Sequence, residues 1–117
     1  MINVWIYRET TGRLTGTDLT GYKVEALDGS IGKVDKHSDV VDASYVVVDT
    51  GPWIFGKHVL LPAGTVTRID MDEERIHVGL TKDQIKSAPE FDKEKHLEDA
   101  DYHRVLGGYY EGFSHRA

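Results

Sequence analysis

The chain has 117 residues, 39% hydrophobic and 29% charged, a balance that fits one folded domain and excludes wholesale disorder. Without cysteine it forms no disulfide and offers no thiolate, so any metal would rest on histidines and carboxylates. A net charge of −6 disfavours nucleic-acid binding, whose affinity comes from Lys and Arg displacing counterions along the phosphates.

At the start, Ile2, Val4 and Ile6 alternate with Asn3, Trp5 and Tyr7, which predicts an edge strand or an arm docking on a partner. The segment lacks a basic start and its apolar run stops at Arg8, too short for a signal peptide or membrane span; a cytoplasmic protein is expected. Residues Arg8 to Gly16, rich in Thr and Gly, read as a connection.

From Gly21 the chain becomes a series of short strands. Tyr22 to Leu27 is the first, Asp28-Gly29-Ser30 a tight turn with Gly29 at positive φ, and Ile31 to His37 the second. Ile31 and Val34 fall on opposite pleats of a regular strand, so Gly32 between them predicts a β-bulge that turns both inward. After the loop Ser38 to Ala43, the run Ser44 to Asp49 is apolar on both faces, as a fully covered strand would be. Thr50 to Lys57 forms a Gly/Pro-punctuated loop, His58 to Pro62 a short strand, and Thr65 to Asp70 another. Beyond the acidic hairpin tip Met71 to Glu74, Arg75 to Leu80 points Ile76, Val78 and Leu80 inward.

Helix follows. Thr81 and Gln84 make a capping box, flanked by the staple residues Leu80 and Ile85, so a helix begins at Lys82 and stops before Pro89. A second helical stretch starts near Lys93 and carries Tyr102, Leu106, Tyr109, Tyr110 and Phe113 as an apolar stripe. Gly107 and Gly108 interrupt that stripe at about 1 kcal/mol each relative to Ala, which leaves its register past Leu106 open.

Four stretches resemble the PRC-barrel family: Leu19-Thr20-Gly21-Tyr22-Lys23-Val24, Asp28-Gly29-Ser30-Ile31-Gly32-Lys33-Val34, Tyr45-Val46-Val47-Val48-Asp49 and Val59-Leu60-Leu61-Pro62-Ala63. That small barrel is found in the H subunit of photosynthetic reaction centres, in the C-terminal half of a ribosome-maturation factor and in free-standing prokaryotic proteins, which this chain resembles most. The resemblance implies a mainly β fold, a small six-stranded antiparallel PRC-type β-barrel with a short helix and a C-terminal helical extension. It divides the chain into an N-terminal strand or arm (1–18), a barrel core (19–80) and a helical extension (81–117). It transfers no catalytic residue, because the shared positions are turn glycines and core aliphatics. What it implies about use is a scaffold that packs against other proteins.

The residues themselves hold no complete reactive motif. His37, Ser38 and Asp39 are the types of a hydrolase triad, but consecutive residues do not converge as triad members must. His96, Asp99 and His103 would share a helix face with metal-ligand spacing, against the plainer reading of a solvated acidic face. Asp70, Asp72, Glu73 and Glu74 lack the glycine-bearing loop of a calcium site, and Gly29-Ser30-Ile31-Gly32 precedes a strand rather than the helix of a nucleotide fingerprint.

Trp53, Ile54 and Phe55 either plug a barrel end or form contact surface, and the C-terminal stripe buries on its own barrel or on a neighbouring subunit. The expectation is therefore a non-enzymatic interaction module, without cofactor or metal, that self-associates as a homodimer. Its contact residues would be Trp5, Trp53, Phe55, Tyr102, Leu106, Tyr109, Tyr110 and Phe113. The alternative is a small-ligand or metal-binding protein using His58, His77, His96 or His103.

Overall fold

A computed structural model of the chain describes residues 4–7, 11, 17–38, 40, 43–51 and 58–114, the side chains of Lys93, Phe113 and Ser114 excepted. Six strands, β1 (Lys23–Ala26), β2 (Gly29–Ser38), β3 (Tyr45–Asp49), β4 (His58–Pro62), β5 (Val66–Asp70) and β6 (Arg75–Val78), form one sheet in the order β4-β3-β2-β1-β6-β5. Three helices follow, α1 (Lys82–Lys86), α2 (Lys93–His96) and α3 (Ala100–Ser114). Among the described residues no helix is long and apolar enough to cross a membrane.

The antiparallel barrel expected from the sequence needs correcting on two counts. β1 pairs with β6 in parallel, while the other four ladders are antiparallel. The edge strands β4 and β5 form no ladder with each other, so the sheet is mixed and not closed. The reason lies in their connection, a single 3-10 turn at Ala63–Thr65. The pairing signs make β1, β3 and β6 run one way and β2, β4 and β5 the other. The chain therefore passes from β4 to β5 without reversing, and the two edges follow end to end.

That connection also curls the sheet. In a flat sheet the outer strands of six lie about 24 Å apart, five spacings of about 4.8 Å. The four residue steps from Pro62 to Val66 reach only about 13 Å. Three β-bulges supply the bend, opposite Val24/Glu25, in β2 between Val34 and Lys36, and in β5 between Val66 and Arg68. At the first, Ile31 is the extra residue beside Gly32, whose φ is +146°, and both Ile31 and Val34 are buried as the sequence predicts.

Val46, Val47 and Val48 are all buried, so β3 is covered on both faces. Part of that cover comes from the N-terminal segment, which is a turn and not the expected strand. The Val4 carbonyl accepts a hydrogen bond from the Gly64 N–H, and the Trp5 carbonyl accepts one from the Ser44 N–H. Val4 itself is buried in the common core. Gly64 has to be glycine here, since a Cβ would meet the Val4 backbone at 2.7 Å.

The capping box at α1 is present as read, with Thr81 accepting from Gln84 N and Gln84 Oε1 accepting from Thr81 N. The β1–β2 turn adds to it, because Asp28 accepts from Lys82 N. The second helical stretch is broken where the sequence shows no break: Asp99 turns its carboxylate to the N–H groups of Asp101 and Tyr102 and starts α3 afresh. Gly107 and Gly108 do not interrupt α3. Their cost of about 1 kcal/mol each is outweighed by burying Leu106 and Tyr110, worth about 1.5–3 kcal/mol apiece.

Candidate functional site

The described part of the stripe on α3, Tyr102 to Tyr110, is covered within the chain. Leu106 and Tyr110 are buried, Tyr102 nearly so and Tyr109 half-buried. Two hydroxyls fasten the helix to the segment before it, Tyr102 donating to the Pro89 carbonyl and Tyr109 to the Gln84 carbonyl. Phe113 lies on α3 with its side chain outside the described residues, as are Trp53 and Phe55 entirely.

Trp5 packs against the same helix. Its indole stacks on His103 with ring centroids 5.1 Å apart and meets Tyr45 edge-on at 6.4 Å. Gly107 leaves room for it, since a Cβ there would come within 2.7 Å of the indole nitrogen. Trp5, Val4 and α3 thus form a clasp across the β3–β4 end of the sheet, an arrangement for which the alternating N-terminal pattern gave no signal.

The residues singled out for metal chemistry are not brought together. His96 accepts from Asp92 N through Nδ1 and stacks on Tyr102 at 4.3 Å, His103 stacks on Trp5, and Asp99 caps α3. Asp70 accepts from Glu73 N and pairs with Arg68 at the β5–β6 tip. Among the described residues no three His, Asp or Glu side chains converge on a point.

His37 Nε2 lies 3.3 Å from both Leu19 N and Asp18 Oδ1, while Ser38 accepts from Val40 N; Asp39 is outside the described residues. Hydrogen bonds from Thr20, with help from His37, hold the Asp18 carboxyl below its ordinary range. Gly29 to Gly32 form the bulged start of β2. His77 sits half-buried in β6.

Among the described residues, a cavity of about 170 Å³ lies between the sheet and the helices, apart from a wider polar depression along Glu94 to Asp99. Val59 and Leu60 of β4 form its floor, Ile85 of α1 and Phe91 of the following segment its side, and Leu106 and Tyr110 of α3 its roof. His58, Lys86 and Glu90 stand at its rim, the last two exposed, so it reaches the surface. His58 is held at 3.5 Å from Asp35. Sequence reasoning offered His58 as one of four candidate ligand-binding histidines but missed Phe91, a lone aromatic in a polar connection, as part of this wall.

The tyrosine environment is strongly desolvated. Burial pushes the hydroxyls of Tyr102 and Tyr110 far above the usual phenol range, with Glu90 adding to the first and Tyr109 and Tyr102 to the second. Burial also raises Tyr45, helped by Glu98, and Tyr109. A group raised in the folded state keeps its stabilising effect below its unfolded value, about 10 for tyrosine, and loses it as pH climbs through the folded value. Titration followed by tyrosinate absorbance should therefore show a late group ionising together with loss of the sheet signal in circular dichroism. Ionisation of every tyrosine near pH 10 with the sheet intact would contradict this burial.

The fold and cavity define a mainly β protein, a six-stranded mixed sheet carrying short helices. No family model matches the sequence, and no curated protein matches it. Among solved structures it is similar to RimM from Pseudomonas aeruginosa, assigned to 16S ribosomal RNA processing, with a TM-score of 0.48 and 22% identity. The match covers 61% of this chain and 48% of that one, so the chain spans about half of that protein's length.

Proposed function

We propose that the protein is a non-enzymatic protein-interaction module of the PRC-barrel type, cytoplasmic and self-associating as a homodimer. The motif residues that carry the resemblance have architectural work here: Gly32 lies against the Asp49 and Thr50 backbone, and Val24, Val34 and Val46 to Val48 fill the core. A net charge of −6 favours a protein partner over nucleic acid.

The observation that carries the contact surface is a pair of exposed aliphatic side chains, Ile6 at 45% and Val40 at 65%. Ser44 ties their two segments to one point of the chain, donating its N–H to the Trp5 carbonyl and its hydroxyl to the Val40 carbonyl. Half-buried Trp5 and Tyr7 flank Ile6 in the chain. Tyr102, Leu106 and Tyr110 of the C-terminal stripe are buried within the chain, so the proposal draws its contact face from this patch. A contact face built on two exposed aliphatic side chains makes a small, reversible interface.

Sedimentation velocity over a concentration series tests the reading. The wild type should shift toward dimer as concentration rises, and the Ile6→Glu/Val40→Glu double variant should remain monomeric with unchanged Tm. A wild type that stays monomeric throughout, or a double variant that dimerises equally well, would count against it.

A further inference from the structure

The cavity under α3 carries an inference separate from self-association. We infer that it binds a small, uncharged, single-ring molecule bearing a hydrogen-bond acceptor, with the ring among Leu60, Ile85, Phe91 and Leu106 and the acceptor on the Tyr110 hydroxyl.

Three observations lead there. The first is size: about 170 Å³ is close to the roughly 150 Å³ apolar cavity that takes up benzene in an engineered protein, so it holds one ring with a short substituent. The second is chemistry. The inner wall of Leu60, Ile85, Phe91 and Leu106 is aliphatic and aromatic, and taking an ion against it would carry a large desolvation cost, whereas a neutral ring gains dispersion and loses water.

The third is Tyr110. It is 1% exposed and lines the cavity, and among the described residues its hydroxyl makes no hydrogen bond, unlike those of Tyr102 and Tyr109. A phenol hydroxyl without a protein partner still has a hydrogen bond to give, and a phenol donates better than it accepts. An ordered water needs two to four polar partners to stay. This wall offers few, so an acceptor on an apolar body displaces water at a gain. The exposed rim residues Lys86 and Glu90 mark where such a molecule enters.

A matched pair of probes tests the assignment, acetophenone and ethylbenzene, which share a shape and differ in the carbonyl. Titrated into the full chain and followed by two-dimensional NMR, acetophenone should shift the resonances of Val59, Phe91 and Leu106. It should bind about five to ten times more tightly than ethylbenzene, the worth of one net hydrogen bond. In Tyr110→Phe, which keeps the ring and removes only the unpaired hydroxyl, the two probes should bind within about twofold of each other. No shifts at the solubility limit of acetophenone, equal affinities in the wild type, or a carbonyl preference that survives Tyr110→Phe would each overturn the inference.

Discussion

Gly32→Ala is expected to lose much of the stability of the fold. A Cβ on Gly32 would overlap the carbonyl of Asp49 and crowd the Thr50 Cα, and both are backbone at the end of β3 that cannot rotate away. The residue also sits at φ +146°, a conformation L-residues avoid. Strain of about 1–3 kcal/mol from the backbone and a similar amount from overpacking give a loss of roughly 2–6 kcal/mol. A domain of this size has about 5–15 kcal/mol in total. Thermal unfolding should show Tm falling by about 10–25 °C. Gly51→Ala is the control, because Gly51 has φ +54° but open space around it. It should cost only about 1–2 kcal/mol, the left-handed penalty alone. Equal losses in the two variants would mean that the bulge is not packed against β3 as described.

The second large effect separates two adjacent glycines in α3. Gly107→Val should destabilise by about 2–3 kcal/mol, since the new side chain meets the Trp5 indole and forces it off His103. Gly108→Ala meets nothing within 4 Å and removes the entropic penalty of glycine in a helix, so it should stabilise by about 1 kcal/mol. Denaturant titration reads both, and tryptophan fluorescence should report Trp5 becoming wetter only in Gly107→Val. A stabilised Gly107→Val would dismiss the clasp.

Much of the sheet was legible because its signals are local. His58 to Pro62 matched the observed β4 at both ends, and the three valines of β3 announced a strand covered on both faces. The Asp28-Gly29 turn, the Gly32 bulge and the Thr81–Gln84 box all involve residues within a few positions of one another. What failed was non-local. No local pattern says that β6 lies parallel to β1, a pairing set by how the chain turns the corner at Ala63–Thr65.

The N-terminal segment shows tertiary context overriding pattern. Its alternation reads as a strand, yet its Val4 and Trp5 carbonyls are taken singly by Gly64 and Ser44. The α3 stripe was recognised, but a 3.6-residue period states only that a face is buried, not on what. Asp99 was read as part of an acidic face because a capping aspartate and a solvated one look alike in sequence.

The sheet, the N-terminal segment and α3 share one core, and native-state hydrogen exchange tests this most directly. The amides of Val46 to Val48, of Gly64 and of Leu106 to Tyr110 should exchange with one common free energy and lose protection together as denaturant is added. Rapid exchange in α3 and at Gly64 while β3 stays protected would show a sheet that stands without its clasp, and would contradict a common core.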